Sequence, residues 1–458
     1  MDTKTGYEIN LMIRDSNQIR LERNYITGVV SEPVQEPKSI RFNGCEFENE
    51  IYLVFEHHAV LDFSECKFHG KVYLEVKFPS SIINMSNAFL ENRVELHCHK
   101  KVSLNCDGIR LSGQLHIENS HFSSANFNGM VIDEQKTTKF YFRNNTVENA
   151  SFKESFFHNT IFNGSIFKSK ISFDNSIFSY SIAPASGNFI NVVFEDDAYF
   201  NSVVFDKWLF FNGSKFYGSF LLIGMNSTKN IDASIANFSG AIFYKRSFFD
   251  NSNFKSITFK NCEFSDVASF KHIVCSKLEV SKAIFLKGAD FLNANVKAAD
   301  RETFRIIKNE FLRINNQVEA IHFRSKEMKA YEKELREQRN YSELFLIYFN
   351  KISNNHGLSW FRGLCFTLTT AIISFMFYLL SLKQLPFQWG WKNFESYSNA
   401  CSIVIKYFIR FLIITHDLDF MNRYQPSALS FLIDFICKIF IGFGIYQTIQ
   451  AFRKYGKN

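Results

Sequence analysis

Four charged side chains stand where charge is expensive. Asp434 and Lys438 lie four residues apart inside the apolar run 427–449. On a helix that spacing puts both on one face, where carboxylate and ammonium can pair. Charges at membrane depth face protein or water rather than lipid. The pair therefore reads in two ways, as a pore lining or subunit contact, or as an internal ion pair packed against a neighbouring span. Lys406 and Arg410 are also four apart, and they alone interrupt the apolar run Ala400–Thr415. They would favour anions if they lined a pathway, but snorkelling to lipid headgroups is the preferred reading.

Other residues invite chemistry and lack a constellation for it. His97-Cys98-His99 puts two imidazoles on one face of a strand, as zinc would need, with no third and fourth ligand at a set spacing. The His57-His58 pair is weaker still. Glu195-Asp196-Asp197 reads as a solvated loop rather than a cation site. No phosphate-binding loop, nucleophile elbow, HExxH or dinucleotide fingerprint is present, so no enzyme, cofactor or metal is expected.

These residues need elements to position them. Residues 363–382 contain no charge and no proline, flanked by Arg362 and Lys383. Twenty such residues span about 30 Å as a helix, the thickness of a bilayer core. The second span is 427–449, with Pro426 before it and Arg453, Lys454 and Lys457 after it. The segment of about 400–415 between them is marginal for crossing and is expected to be interfacial or re-entrant. Basic residues flank the outer ends of both spans, which predicts cytoplasmic termini in a multi-pass inner-membrane protein. Trp389 and Trp391 would mark the opposite interface. Upstream, Asp300 can cap a helix whose stripe Phe304, Ile307, Phe311, Ile314, Val318, Ile321 alternates spacings of three and four. It would either dock on the end of the preceding domain, the preferred reading, or form a coiled coil. Lys326, Lys329, Lys333, Arg336 and Arg339, interleaved with glutamates, read as a solvated face.

The middle of the chain has a different grammar. Phe recurs every five residues at Phe152, Phe157, Phe162 and Phe167, and again at Phe249, Phe254, Phe259 and Phe264. Five fits neither helix nor flat strand, and a fixed short period means a solenoid. The residue two before each Phe is usually small, as at Cys45, Cys66, Ala125, Ser165, Ser176, Ala236, Ser252, Cys262 and Ala289. Residues 80–118 and 181–190 lose the phase, the latter around Pro184 and Gly187, so loops or irregular coils are expected there, although Val94-Glu95-Leu96 and Gln114-Leu115-His116-Ile117 alternate by two and read as ordinary β-helix strands.

Composition agrees. The chain has 458 residues, 46% of them apolar, with 55 Phe but only 20 Gly and 6 Pro, which excludes collagen-like and disordered chains. Its 9 Cys lack CxxC pairs, and no signal peptide precedes them, so a reducing compartment is expected. Of the +7 net charge, residues 36–300 hold 27 basic and 28 acidic groups, while 301–458 hold 21 and 12. A neutral middle gives no footprint for nucleic acid. A basic flank beside apolar runs suggests a membrane surface.

The small-polar-Phe pattern, as in Ala125-Asn126-Phe127 and Ala289-Asp290-Phe291, resembles the pentapeptide-repeat family. That resemblance implies a right-handed parallel β-helix over 36–299, with Phe and the small residue inward and about 20 residues per coil. The last third resembles the two-span, channel-like domain that follows such repeats in some bacterial membrane proteins. The potassium-filter pattern is absent, and Thr415-His416-Asp417-Leu418-Asp419 stands in its place. The expected plan is an N-terminal cap or flexible segment (1–35), the repeat β-helix (36–299), amphipathic linker helices (300–359) and a transmembrane domain (360–458). Expected partners are the lipid bilayer, further copies of the chain through the membrane domain, and a protein on the repeat wall. The resemblance implies an oligomeric channel or membrane-perturbing effector with a cytoplasmic repeat domain. The alternative is a membrane-anchored scaffold without a pore. Mimicry of DNA would need a strongly acidic rod, which the neutral middle is not.

Overall fold

The computed structural model describes residues 2–134, 137–179, 188–225, 234–384, 394–417 and 420–453. It divides into two compact units, Met1–Thr303 and Phe304–Asn458.

The first unit is a parallel β-solenoid of about 13 turns. Short strands stack on their equivalents one coil later, forming walls such as the 7-stranded sheet from Val30–Val34 to Thr160–Ile161. Phe47 faces Phe68 and Leu74 faces Leu96, so these coils take 21 or 22 residues rather than the 20 that the resemblance implies. Inward phenylalanines stack along the axis. Phe216, Phe243, Phe264 and Phe285 follow one another at 4.7, 4.8 and 4.7 Å, close to the spacing of hydrogen-bonded strands. Each such ring pair adds about 0.5–1.5 kcal/mol beyond its burial.

The small inward residue does more than leave room. Ser176 Oγ donates to the Phe152 carbonyl at 2.8 Å and accepts from the Ser155 amide at 3.1 Å. Ser165 and Ser252 repeat the pattern. At Cys66 and Cys262 the thiol donates to the equivalent carbonyls of Phe42 and Phe238. Each residue stitches its coil to the one before, which is how a buried hydroxyl escapes the cost of desolvation. The residue just before it turns the corner with positive φ, as at Gly44, Glu65, Asn87, Gly164, Asn175 and Asn251, where glycine and asparagine are the least strained choices.

Two sequence expectations change here. Residues 80–118 are regular rather than irregular coils: the strands expected around Val94–Leu96 and Gln114–Ile117 form as Val94–Cys98 and Gln114–Glu118, and Ile82–Asn84 is in register as well. Leu and Ile fill the inward sites there (Ile83, Leu90, Leu96, Ile117), so the Phe signal fades while the hydrogen-bond ladder continues. Residues 1–35 already carry wall strands, since Thr3–Thr5 pairs with Tyr25–Thr27 and Gln18–Glu22 with the strand starting at Lys38. Between them α1, Gly6–Asp15, starts with a Thr5–Glu8 capping box and buries Ile9 and Ile13. The break around Pro184 and Gly187 lies outside the described residues.

The second unit is helical: α2 (Arg301–Arg313, whose first turn belongs to the first unit), α3 (Gln317–Gln338), α4 (Tyr341–Asn354), α5 (Trp360–Leu380), α6 (Phe394–Leu412) and α7 (Ala428–Phe452). α5 and α7 are long and apolar enough to cross a membrane; they are the two spans expected at 363–382 and 427–449, with their bounds shifted by one to three residues. The predicted long stripe is broken. Asn315 adopts a left-handed conformation and the Asn316 side chain caps α3 by accepting from the Glu319 amide. Phe304, Ile307 and Phe311 are buried, but Ile314 and Val318 are exposed, and Phe323 turns inward to stack on Phe311. Nor is α3 solvated on all of its charged side: buried Glu327 pairs with Lys308 at 2.8 Å, and buried Glu332 with Lys351 at 2.9 Å.

Candidate functional site

α5 and α7 form an antiparallel hairpin because glycines let their backbones touch. Gly363 lies against Thr448, where an added Cβ would come within 3.1 Å of the Thr448 backbone. Gly444 lies against Thr367 in the same way. Each threonine donates its hydroxyl to the glycine carbonyl four residues earlier, Thr367 to Gly363 at 2.8 Å and Thr448 to Gly444 at 2.9 Å. The two Gly-x-x-x-Thr segments pack reciprocally, the small-residue logic of membrane helices. Polar clamps hold both ends. At one, Ser427 and Ser430 donate to the Ser381 carbonyl. At the other, buried Asn354 donates to the Gln447 carbonyl at 3.2 Å.

Asp434 sits on α7 about 9 Å past its start, and its side chain is only 2% exposed. Lys438 Nζ lies 3.1 Å from its carboxylate, as the four-residue spacing requires. A third member comes from the loop after α6. His416 Nε2 lies 3.0 Å from Asp434 Oδ1, while the Lys438 ammonium also donates to the His416 carbonyl at 3.1 Å. His416 Nδ1 lies 2.6 Å from the Ile413 carbonyl. Both ring nitrogens thus face oxygens, of a carboxylate on one side and a backbone carbonyl on the other. Phe420 packs edge-on against the ring at 4.5 Å. The carboxylate thus lies between two basic groups of the same copy of the chain, hydrogen-bonded to His416 through Oδ1 and ion-paired with Lys438 through Oδ2.

Lys406 and Arg410 do not join that cluster. Both lie on the exposed side of α6, next to the exposed Ile405 and Ile409. The segment expected to be interfacial or re-entrant is the latter part of a 19-residue helix that begins at Phe394. Leu418, Asp419, Lys454, Lys457, Trp389 and Trp391 lie outside the described residues.

On the solenoid wall, His97 pairs with Glu95 at 3.6 Å and His99 with Glu75 at 3.0 Å, while Cys98 points inward. Among the described residues no group of three or more His, Cys, Asp or Glu is placed to hold a metal ion. Asp197 of the acidic run is spent on the wall itself: it accepts from the Ser219 amide at 2.8 Å and the Tyr199 hydroxyl at 3.1 Å. Outward side chains form columns. Tyr52 stacks on Tyr73 at 4.7 Å, and His116 packs at a tilt against Tyr141 at 4.5 Å, with Arg143 over the Tyr141 ring. Burial, the Glu75 carboxylate and its charge push the Tyr73 phenol up to about 12. His69 bridges three coils, with Nδ1 2.6 Å from Glu91 and Nε2 2.8 Å from Glu46. A shallow depression of about 150 Å³ is bounded by Glu50, Tyr52, Lys71, Tyr73, Arg93 and Glu95.

His416 and the two Gly-x-x-x-Thr segments were not singled out as partners in the sequence reading. The Gly-x-x-x-Thr spacing was visible in the apolar runs, but nothing local marks which threonine meets which glycine. Compared with known protein families, curated proteins and solved structures, the chain matches none.

Proposed function

We propose that this chain is a membrane-anchored interaction scaffold of the pentapeptide-repeat type, in which the hairpin of α5 and α7 tethers the solenoid and the laddered wall receives a protein partner. The observation that carries this reading is the division of polarity in the hairpin. Asp434 is paired inside one copy, with His416 and Lys438, while Ile372, Met376, Leu380, Leu432, Phe435 and Ile439 point outward. A helix pair that keeps its buried carboxylate beside cationic partners of the same copy, and whose outward side chains along the spans are mostly apolar, is suited to anchoring. The reading assigns the chain no catalytic step. It places the protein in a bacterial inner membrane with both termini in the cytoplasm, on the strength of the basic flanks. Proximity labelling in its native cells tests it. Replacing 360–458 by an unrelated two-span anchor should leave the labelled partners unchanged, and loss of those partners would overturn the scaffold reading.

A second reading, an oligomeric ion pathway, is favoured by one observation: Lys406 and Arg410 are exposed beside apolar neighbours on α6. Steady conductance from purified full-length protein in planar bilayers, abolished by Lys406→Gln with Arg410→Gln, would make it the better description.

A further inference from the structure

We infer that α4 is a third lipid-contacting element, an amphipathic helix whose apolar stripe lies in the boundary of the bilayer beside the hairpin. Tyr341, Phe345, Tyr348 and Ile352 follow spacings of four, three and four, which is one face of a helix. They are 71, 66, 50 and 51% exposed; Leu346, also exposed, lies off this face. The opposite side carries the buried residues Ile347, Ser353 and Asn354. A helix on the surface of a water-soluble protein shows the reverse pattern, polar outward and apolar inward. Large side chains exposed to this extent make a patch of a few hundred Å², at the upper end of what soluble monomers leave uncovered.

Continuity identifies what covers the stripe. On the same helix Phe349 packs against Phe366 of α5 at 5.4 Å and against Phe443 of α7 at 4.9 Å. The Asn354–Gln447 clamp fixes the end of α4 to α7. The outward apolar surface of the hairpin therefore runs on into the stripe, and a medium that covers one reaches the other. The charges fit as well. Arg362 at the start of α5 and Arg453 at the end of α7, both exposed, offer cations where anionic headgroups would lie. Aromatic Trp360 and Phe452 stack at 5.1 Å beside them, the pairing of ring and charge common at membrane boundaries. The inference rests on the anchor reading and adds to it a named lipid-facing surface outside both spans.

Photo-crosslinking separates the possibilities. Benzoylphenylalanine is placed at Phe345, at Phe435 on the outward side of α7, or at Tyr52 on the solenoid wall, each in full-length protein reconstituted into vesicles of phosphatidylcholine and phosphatidylglycerol. The expected result is lipid adducts at 345 and 435, each at least about tenfold above position 52. Lipid adducts at 435 with none at 345 would overturn the inference and leave the anchor standing. A crosslink from 345 to a second copy, in place of lipid, would overturn it in favour of self-association. Protein that never enters the vesicles would overturn the anchor reading and the inference with it.

Discussion

Replacing Asp434 by leucine leaves His416 and Lys438 facing each other with no anion between them. The carboxylate meets His416 at 3.0 Å and Lys438 at 3.1 Å, so its loss strands charge that water barely reaches. Breaking a buried pair from one side costs about 3–5 kcal/mol in soluble proteins. Hydrogen bonds between membrane helices are worth less, about 0.6 kcal/mol on average, because the unfolded chain in lipid also finds partners. Escape routes decide where this site falls. The Lys438 side chain is 20% exposed, and its stem can carry the ammonium outward. The expected cost of Asp434→Leu is therefore about 2–3 kcal/mol, between the membrane hydrogen-bond average and the bottom of the buried-pair range. Lys438→Leu leaves Asp434 bonded to His416 and should cost about 1 kcal/mol, one hydrogen bond's worth. The double variant should be less destabilised than the sum by about 1 kcal/mol or more, the coupling of groups in contact. The assay is unfolding of the full-length protein in mild detergent by added dodecyl sulfate, followed by helix circular dichroism. Equal costs for the two single changes, with no coupling in the cycle, would refute the reasoning, because the three groups would then not act as one cluster.

In the solenoid, Phe243→Ala should cost about 3–5 kcal/mol, the usual range for a buried ring, since Phe243 is stacked on both sides, by Phe216 and Phe264. Phe285→Ala should cost about 1–2 kcal/mol less, because that ring is only half-buried; urea titration of the full chain in detergent, read by near-ultraviolet circular dichroism, compares the two. His69 supplies a pH dependence. Its hydrogen bonds to Glu91 and Glu46 hold its pKa above the ordinary 6.5, so the charged ring stabilises the coils below that value and the stabilisation is lost as pH rises through the raised one. The stability of the parent should fall over that window more steeply than that of His69→Gln, and parallel profiles would count against the bridge.

Much of the first unit was legible because its contacts repeat. A Phe every fifth residue with a small residue two before it forces a stack, since each coil can cover its apolar face only with the next. What the Phe count concealed was continuity. Ile83, Leu96 and Ile117 keep the interior filled where aromatics stop, and the ladder is indifferent to which apolar side chain sits inside. The left-handed corners at Asn87, Asn175 and Asn251 were present as asparagines, but one asparagine among many polar residues carries little local signal. In the second unit the Asn315-Asn316 pair ended the stripe that spacing alone would have carried through to Ile321. Apolar periodicity says nothing about a cap.

Composition and spacing by themselves determined the stacked coil and the two helices long enough to cross a bilayer, because both follow from the order of apolar residues along the chain. The four-residue spacing likewise determined that Asp434 could reach Lys438 on one helix face. Only the tertiary structure decided that His416, 18 residues away, completes that pair, and that Gly363 meets Thr448 and Gly444 meets Thr367. Such contacts join segments whose separation in sequence has no period, so they form where backbones can approach closely and where a charge held away from water must find its complement.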